Sequence, residues 1–125
     1  MTAPATGEIR EPVLVACLCA QWCRTCDGYR MVFEQAVSAL RDAGVEGLWV
    51  DVEDQADVLG AVDVEDFPTL LIARGDQILF FGPVMPHAST LTRMLGAALD
   101  GQLGPGPGPV DPHVLELPRR LHRLR

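Results

Sequence analysis

The 125-residue sequence contains no lysine and no asparagine, and all ten of its basic residues are arginine. Acidic residues outnumber them by 17 to 10, which gives a formal net charge of −7. Nucleic-acid binding needs clustered positive charge to face the phosphates. The charge balance therefore argues against a nucleic-acid partner, and the missing lysine and asparagine indicate GC-rich codon usage more than a function.

Long apolar runs are also missing. The longest, at 13–20, has eight residues, whereas a membrane-spanning helix needs about 20. Residues 1–12 are polar and acidic and lack the basic start of a secretory signal. We therefore expect a cytoplasmic protein that does not associate with membranes. Hydrophobic residues make up 48% of the composition, which is typical of an ordinary globular domain.

Hydrophobic patterning predicts the element order β-α-β-α-β-β-α. The apolar run at 13–20 is typical of a strand that is buried on both faces of a sheet. The predicted elements after it are a helix at 24–43, a strand at 47–52, a short helix at 53–62, strands at 70–73 and 77–81, and a helix at 89–99. A strand–helix–strand connection implies a parallel pair, and a tight turn implies an antiparallel hairpin. The expected fold class is α/β, with one central mixed sheet flanked by helices.

Composition divides the chain into a leader at 1–12, a folded domain at 13–100, and a Gly/Pro linker with a basic tail at 101–125. Alternating glycine and proline cannot build a core. The leucines of the tail recur at helical spacing, but an isolated helix of this length is unstable in water. We therefore expect a flexible tail. The alternative is that the tail docks on a partner or on the acidic surface at 51–66.

All four cysteines, Cys17, Cys19, Cys23 and Cys26, lie within ten residues of one another. Disulfides that staple secreted domains join distant segments, so this clustering indicates redox chemistry or a metal site. Cys23 and Cys26 stand at the start of the first predicted helix, where the partial positive charge of the helix favours a thiolate. We expect Cys23 to be the exposed nucleophile and Cys26, one turn inward, to resolve the mixed disulfide.

The sequence around these two cysteines resembles the thioredoxin family. A Cys-x-x-Cys motif alone is shared with zinc sites. Here it follows a predicted strand, is preceded by Trp22, and is followed about forty residues later by Phe67-Pro68-Thr69. The resemblance covers roughly 13–99 and implies a near-minimal thioredoxin-like fold. It also implies a redox-active Cys23–Cys26 disulfide that needs neither a metal nor an organic cofactor.

The resemblance further implies a substrate groove beside the two cysteines. In the family, the proline that matches Pro68 follows a cis peptide bond and lies against the disulfide, and the residue before it pairs with the substrate backbone. The residues expected to contact substrate are Trp22, Arg24, Thr25, Phe67, Pro68 and Gly82. The implied activity is thiol–disulfide exchange with protein disulfides. A second protein would donate electrons to the cysteine pair or accept electrons from it. We expect the protein to be a monomer.

Departures from the family pattern leave other functions open. The acid that the family often buries in the first strand is replaced here by Cys17. Cys17 and Cys19 lie two apart on one face of the predicted strand, and we expect both to be buried thiols that behave as small hydrophobes. The alternative for this pair is that Cys17 exchanges with Cys26. One alternative function is an interaction or assembly module that has little turnover. The other is a metal or iron–sulfur protein that uses all four cysteines.

The segment at 51–66 contains seven acids and no base. A solvated surface that keeps the protein soluble is the expected interpretation. The functional alternative is that Asp63, Glu65 and Asp66, just before Phe67, border the substrate groove and select basic partners.

Overall fold

The computed structural model describes residues 11–103 and 112–124. Most of the predicted leader and most of the predicted Gly/Pro linker lie outside these residues. The four strands are β1 (Val13–Cys19), β2 (Val45–Asp51), β3 (Thr69–Arg74) and β4 (Gln77–Pro83). The α-helices are α1 (Arg24–Ala39), α2 (Ala56–Leu59), α3 (Ala88–Leu99) and α4 (Leu117–His122). Short 3-10 helices lie at Arg41–Ala43 and Pro112–Glu116.

The strands form one mixed sheet in the order β2-β1-β3-β4. β1 pairs with β2 in parallel, and β3 pairs with both β1 and β4 in antiparallel orientation. The predicted α/β fold with a central mixed sheet is therefore confirmed. None of the helices in the described part of the chain combines the length and the apolar character that crossing a bilayer requires.

The largest differences from the predicted boundaries have local reasons. The first long helix stops at Ala39, and β2 already begins at Val45, because Gly44 takes a left-handed conformation (φ 102°) between them. The second helix shrinks to α2 because the carboxylate of Asp51 accepts hydrogen bonds from the amides of Glu53 and Asp54, at 2.8 and 3.0 Å. Those amides are bound in a side-chain turn rather than in a helix.

β1 lies in the middle of the sheet and is buried on both faces. Its odd-numbered residues, which include Cys17 and Cys19, pack with α1 and α3 in one apolar cluster. Its even-numbered residues pack with Leu59 of α2 and with the C-terminal segment in a second cluster. The alternation of side chains along a strand therefore assigns both cysteines of β1 to the face that carries α1.

The C-terminal segment is folded, which differs from the predicted flexible tail. Val114, Leu117 and Leu121 are at most 1% exposed and cover the second face of the sheet. Polar contacts join the segment to the hairpin and to α2: Arg119 to Asp76 at 3.3 Å, His122 Nε2 to the carbonyl of Gly75 at 3.1 Å, and Arg120 to the carbonyl of Val58 at 3.5 Å. A helix too short to be stable alone is stable here because its apolar face is buried.

Candidate active site

Cys23 is the N-cap residue of α1, with an extended backbone (φ −87°, ψ 114°). Its amide donates to the carbonyl of Ala20 at 3.0 Å, and its carbonyl accepts from the amide of Asp27 at 3.3 Å. These bonds fix the turn that leads from β1 into the helix. The side chain is half-buried and carries a free thiol. Cys23 therefore lies where the sequence predicts the nucleophile, at the positive end of a 16-residue helix.

Cys26 lies one turn further along α1 and is 2% exposed. It forms a disulfide with Cys19, the last residue of β1, and the Cα atoms of the two residues are 6.0 Å apart. The predicted Cys23–Cys26 disulfide is therefore not the pairing found in this structure, and the exchange between those two residues stays a prediction. The expectation that Cys19 is an inert buried thiol is wrong, because β1 ends directly beneath the first turn of α1.

Cys17 is fully buried, and its Sγ lies 3.6 Å from Sγ of Cys19. Burial raises the pKa of the Cys17 thiol to about 12, since a thiolate would be poorly solvated there. Burial also raises the pKa of Tyr29, and a negative charge on Cys17 would raise it further. Cys17 is thus an uncharged thiol at neutral pH and not a nucleophile.

Trp22 and Phe67 form the aromatic border of the site. Trp22 is 67% exposed, and its ring meets the ring of Phe67 edge to face, at 5.5 Å between centroids and 88° between planes. Phe67 and Cys23 both pack against the apolar cluster that contains the disulfide. Two predicted substrate-contacting residues that are 45 positions apart in the sequence are therefore brought together next to the nucleophile.

The loop that carries Phe67 is held firmly. The Phe67–Pro68 peptide bond is cis. The hydroxyl of Thr69 donates to the carbonyl of Asp66 at 2.6 Å, and the amide of Val84 donates to the carbonyl of Pro68 at 3.1 Å. Pro68 is buried and supports the loop from inside the protein, whereas the ring of Phe67 contacts Trp22 beside Cys23.

The other predicted contact residues occupy different environments. Arg24 and Thr25 are exposed in the first turn of α1, between the two cysteines of the motif. Gly82 is buried in β4 and pairs with Leu70 of β3. No contact of these three residues with Cys23 follows from the structure, so their role in substrate binding stays a prediction.

Acidic residues line two clefts near the site. Asp63, Glu65 and Asp66 border a cleft of about 300 Å³ next to the loop of Phe67. A second cleft of about 530 Å³ is lined by Cys26 together with Asp27 and Asp51. Acids of the 51–66 segment therefore line one cleft at Cys26 and another next to the loop of Phe67.

The described residues give the metal alternative no support. Within 11–103 and 112–124, no three His, Cys, Asp or Glu side chains are grouped so that they could hold a metal ion. Two of the four cysteines are bonded to each other.

The sequence profile described as Thioredoxin matches residues 7–85, which is more than half of the chain. The chain belongs to the thioredoxin family. Family membership and the close cysteine pair support thiol–disulfide oxidoreductase chemistry in general, and thioredoxins generally act on protein substrates.

A curated relative and two solved structures illustrate the likeness. "Putative thioredoxin 2" of Streptomyces coelicolor is 34% identical over 79 residues, which span 63% of this chain and only 58% of the relative. The germline-specific thioredoxin Deadhead of Drosophila melanogaster has a TM-score of 0.61 at 19% identity, over 69% of this chain and 80% of that one. Chloroplastic thioredoxin z also has a TM-score of 0.61, at 21% identity, over 74% of this chain and 81% of that one. At these identities the two structures show the thioredoxin-like fold alone.

Cys19 is the cysteine whose bond to Cys26 the sequence did not predict. The sequence places Cys17 and Cys19 on one face of β1, and an apolar stripe on the following helix has to pack against one of the two faces. Those signals were sufficient to place Cys19 near the helix. They could not show that its sulfur meets Cys26 rather than the neighbouring apolar side chains.

Proposed function

We propose that this thioredoxin-family protein exchanges dithiols for disulfides in protein substrates, with Cys23 as the nucleophile and Cys26 as the resolving thiol. One observation carries the proposal. Cys23, the N-cap residue of α1, carries a free and partly exposed thiol, and one turn away Cys26 is held in a disulfide. A helix start stabilises the thiolate that attacks, and the disulfide of Cys26 supports a role for its sulfur in exchange.

The proposed reaction begins from the reduced protein. The Cys23 thiolate attacks one sulfur of the substrate disulfide, and the other substrate sulfur leaves as a thiolate. Cys26 then attacks Sγ of Cys23, so that the Cys23–Cys26 disulfide forms and the second substrate sulfur is released. Two electrons pass from the protein dithiol to the substrate, and the two thiol protons balance the two substrate thiols that are formed.

Substrate binding would use the aromatic border formed by Trp22 and Phe67. A side chain that is 67% exposed next to the nucleophile gives apolar surface for a substrate segment to cover. Hydrogen bonds from Thr69 and Val84 hold the backbone on either side of Phe67. This backbone would offer fixed hydrogen-bonding groups to an extended substrate segment. These features support a protein substrate more than a small thiol.

The reaction as proposed needs no organic cofactor and no metal, because electrons enter and leave through thiol exchange. A second protein would reduce or oxidise the cysteine pair after each turnover. We also propose that the protein works as a monomer in the cytoplasm. The clustering of its cysteines supports that location, since structural cross-links between distant segments are typical of oxidising compartments.

Insulin reduction tests the proposal. The protein is first reduced with dithiothreitol and freed of it, and the thiols of insulin are then followed over time. Wild type should reduce about one disulfide per chain, and should turn over when a reductant is supplied. Cys23→Ser should lose this activity at least a hundredfold, because no other described cysteine is partly exposed. Cys26→Ser should accumulate a mixed disulfide through Cys23.

The matched control is Cys17→Ala, which removes a cysteine that is buried and uncharged and should keep the activity. Undiminished activity in Cys23→Ser, or no activity in wild type, would contradict the proposal. The described tail residues pack on their own domain, which supports the exchange proposal over an assembly module that would bind partners through a free tail.

A further inference from the structure

One partly exposed cysteine and two buried ones lie where β1 leads into α1. Cys23 is partly exposed, Cys26 is one helical turn further along α1, and Cys19 at the end of β1 is bonded to Cys26. Cys19 and Cys26 are each 2% exposed. A disulfide between them is therefore inside the protein, whereas a disulfide that involves Cys23 reaches the surface.

We propose that Cys19 is a third redox-active cysteine, which exchanges into the Cys23–Cys26 disulfide and moves it inward to Cys19–Cys26. The inference rests on the proposed function, which generates the Cys23–Cys26 disulfide. It adds a second oxidised form in which Cys23 is a free thiol again.

The step is an internal thiol–disulfide exchange. The Cys19 thiolate attacks Sγ of Cys26, the Cys19–Cys26 bond forms, and the Cys23–Cys26 bond breaks with its electron pair leaving on Sγ of Cys23. The proton lost by the Cys19 thiol is regained by the Cys23 sulfur through the solvent. The protein is neither oxidised nor reduced in the step, because one disulfide replaces another. The oxidising equivalents came from the substrate.

The geometry supports Cys19 and not Cys17 as the attacking residue. The Cα atoms of Cys19 and Cys26 are 6.0 Å apart, within the usual range for bridged cysteines. Cys17 lies two residues earlier on β1, with 3.6 Å between its sulfur and that of Cys19, and it carries a free thiol that is not bonded to Cys26. Burial also separates the two disulfides in reactivity, since Cys19 and Cys26 are each 2% exposed and offer a protein thiol less access than the partly exposed Cys23 does.

The exchange changes what the oxidised protein can do. With the disulfide inside, Cys23 can attack a further disulfide while Cys26 is unavailable to resolve the product. The oxidised protein should therefore form long-lived mixed disulfides through Cys23. Reduction by a protein donor would require Cys23 to attack Cys26 first and bring the disulfide back to the surface.

Peptide mapping of the oxidised full-length chain tests the inference directly. The reduced protein is oxidised by one equivalent of insulin, free thiols are alkylated in denaturant, and the chain is digested with trypsin and chymotrypsin without reduction. Cleavage after Leu18, Trp22, Arg24 and Tyr29 puts each cysteine on its own peptide. Mass spectrometry of linked peptides then identifies the pairing.

We expect peptide 19–22 linked to peptide 25–29, with Cys23 alkylated, in at least tenfold excess over the link between 23–24 and 25–29. Cys19→Ala should reverse this result and lower Cys23 alkylation at least tenfold. Cys17→Ala, which removes the neighbouring buried sulfur, should leave the wild-type pairing intact. A wild-type map dominated by Cys23–Cys26 would overturn the inference.

The reduction potential gives a second readout. If the inner disulfide is favoured tenfold, it stabilises the oxidised state by that factor, and Cys19→Ala should raise the potential by about 30 mV. An unchanged potential would also overturn the inference.

The proposed function is tested separately by Cys23→Ser in insulin reduction. If wild type and Cys19→Ala both reduce insulin while Cys23–Cys26 dominates the map, only this inference fails.

Discussion

The core cluster that contains the Cys19–Cys26 disulfide also holds two protonated polar groups, the thiol of Cys17 and the hydroxyl of Tyr29. The Tyr29 hydroxyl is buried and has no hydrogen-bond partner among the described residues. An unpaired buried polar group costs about 1–3 kcal/mol. Tyr29→Phe keeps the ring and removes the hydroxyl, so we expect the free energy of unfolding to rise by about 1 kcal/mol or more. Urea denaturation of both proteins measures it, and a fall in stability would show that the hydroxyl is paired.

Alkaline pH should destabilise the protein through the same two groups. Their folded pKa values are raised, that of Cys17 to about 12, so the folded state keeps protons that the unfolded chain loses. The stabilisation is complete below the unfolded cysteine pKa of about 8.5 and is lost as pH rises toward the folded value. Above that unfolded pKa, Cys17 contributes a slope that approaches about 1.4 kcal/mol per pH unit, whereas Tyr29 contributes only above its own unfolded pKa of about 10. The urea concentration at the midpoint of unfolding, measured at pH 8, 9 and 10, should fall less steeply with pH in Cys17→Ala than in wild type. Equal slopes in the two proteins would contradict the raised pKa of Cys17.

At the scale of elements, β2 and α1 approach each other closely at a glycine. A Cβ atom at Gly47 would lie 2.7 and 2.8 Å from the two Cγ atoms of Val37. Gly47→Ala should therefore lower the free energy of unfolding by about 1–3 kcal/mol through overpacking. Gly96→Ala is the matched control, since no atom lies within 4 Å of its Cβ position in α3. Alanine there should raise stability by about 0.5–1 kcal/mol. Equal effects of the two substitutions, measured by thermal unfolding, would contradict the packing.

Helix α4 stabilises the domain because its leucines fill the second face of the sheet. Leu121 is fully buried against this face, whereas Leu115 in the same segment is 58% exposed. Leu121→Ala should lower the free energy of unfolding by about 2–5 kcal/mol. Leu115→Ala should change it by less than about 0.5 kcal/mol. If Leu121→Ala were as mild as Leu115→Ala, the tail would be free in solution, as its sequence alone predicts.

At the scale of the whole molecule, the net charge of −7 should favour basic substrates. Asp63 and Asp66 are exposed beside the loop of Phe67, so their field acts on a substrate that approaches the nucleophile. Reduction of a basic disulfide peptide should be several times faster than that of an acidic one at about 0.01 M ionic strength. The difference should shrink at 1 M, where the Debye length falls to about 3 Å.

A matched pair of double variants locates this effect. Asp63→Asn/Asp66→Asn should reduce the preference for the basic peptide. Asp42→Asn/Asp100→Asn removes the same charge at the other end of α1, where Asp100 shares a cleft with Gly44. The second variant should keep most of the preference. An equal loss in both variants would mean that only the net charge matters and that the acids beside Phe67 have no special place.

Local sequence signals determined most of the fold. The unbroken apolar run of β1, the helical spacing after it and the short hairpin turn are properties of neighbouring residues, so the element order and the mixed sheet could be predicted. The Cys-x-x-Cys motif after a strand likewise placed Cys23 at a helix start. The distant Phe67-Pro68-Thr69 was assigned to the same site only through the family resemblance, and the contact between Trp22 and Phe67 agrees with that assignment.

Only the tertiary structure decided the sulfur pairing and the place of the C-terminal segment. Pairing depends on where the end of β1 meets the first turn of α1, and sequence spacing does not fix that distance, so Cys19 rather than Cys23 is bonded to Cys26. The stability of α4 depends on an apolar sheet face that is formed by residues about a hundred positions earlier. Both features arise from contacts between distant segments, whose free energy is gained only once the whole domain has assembled.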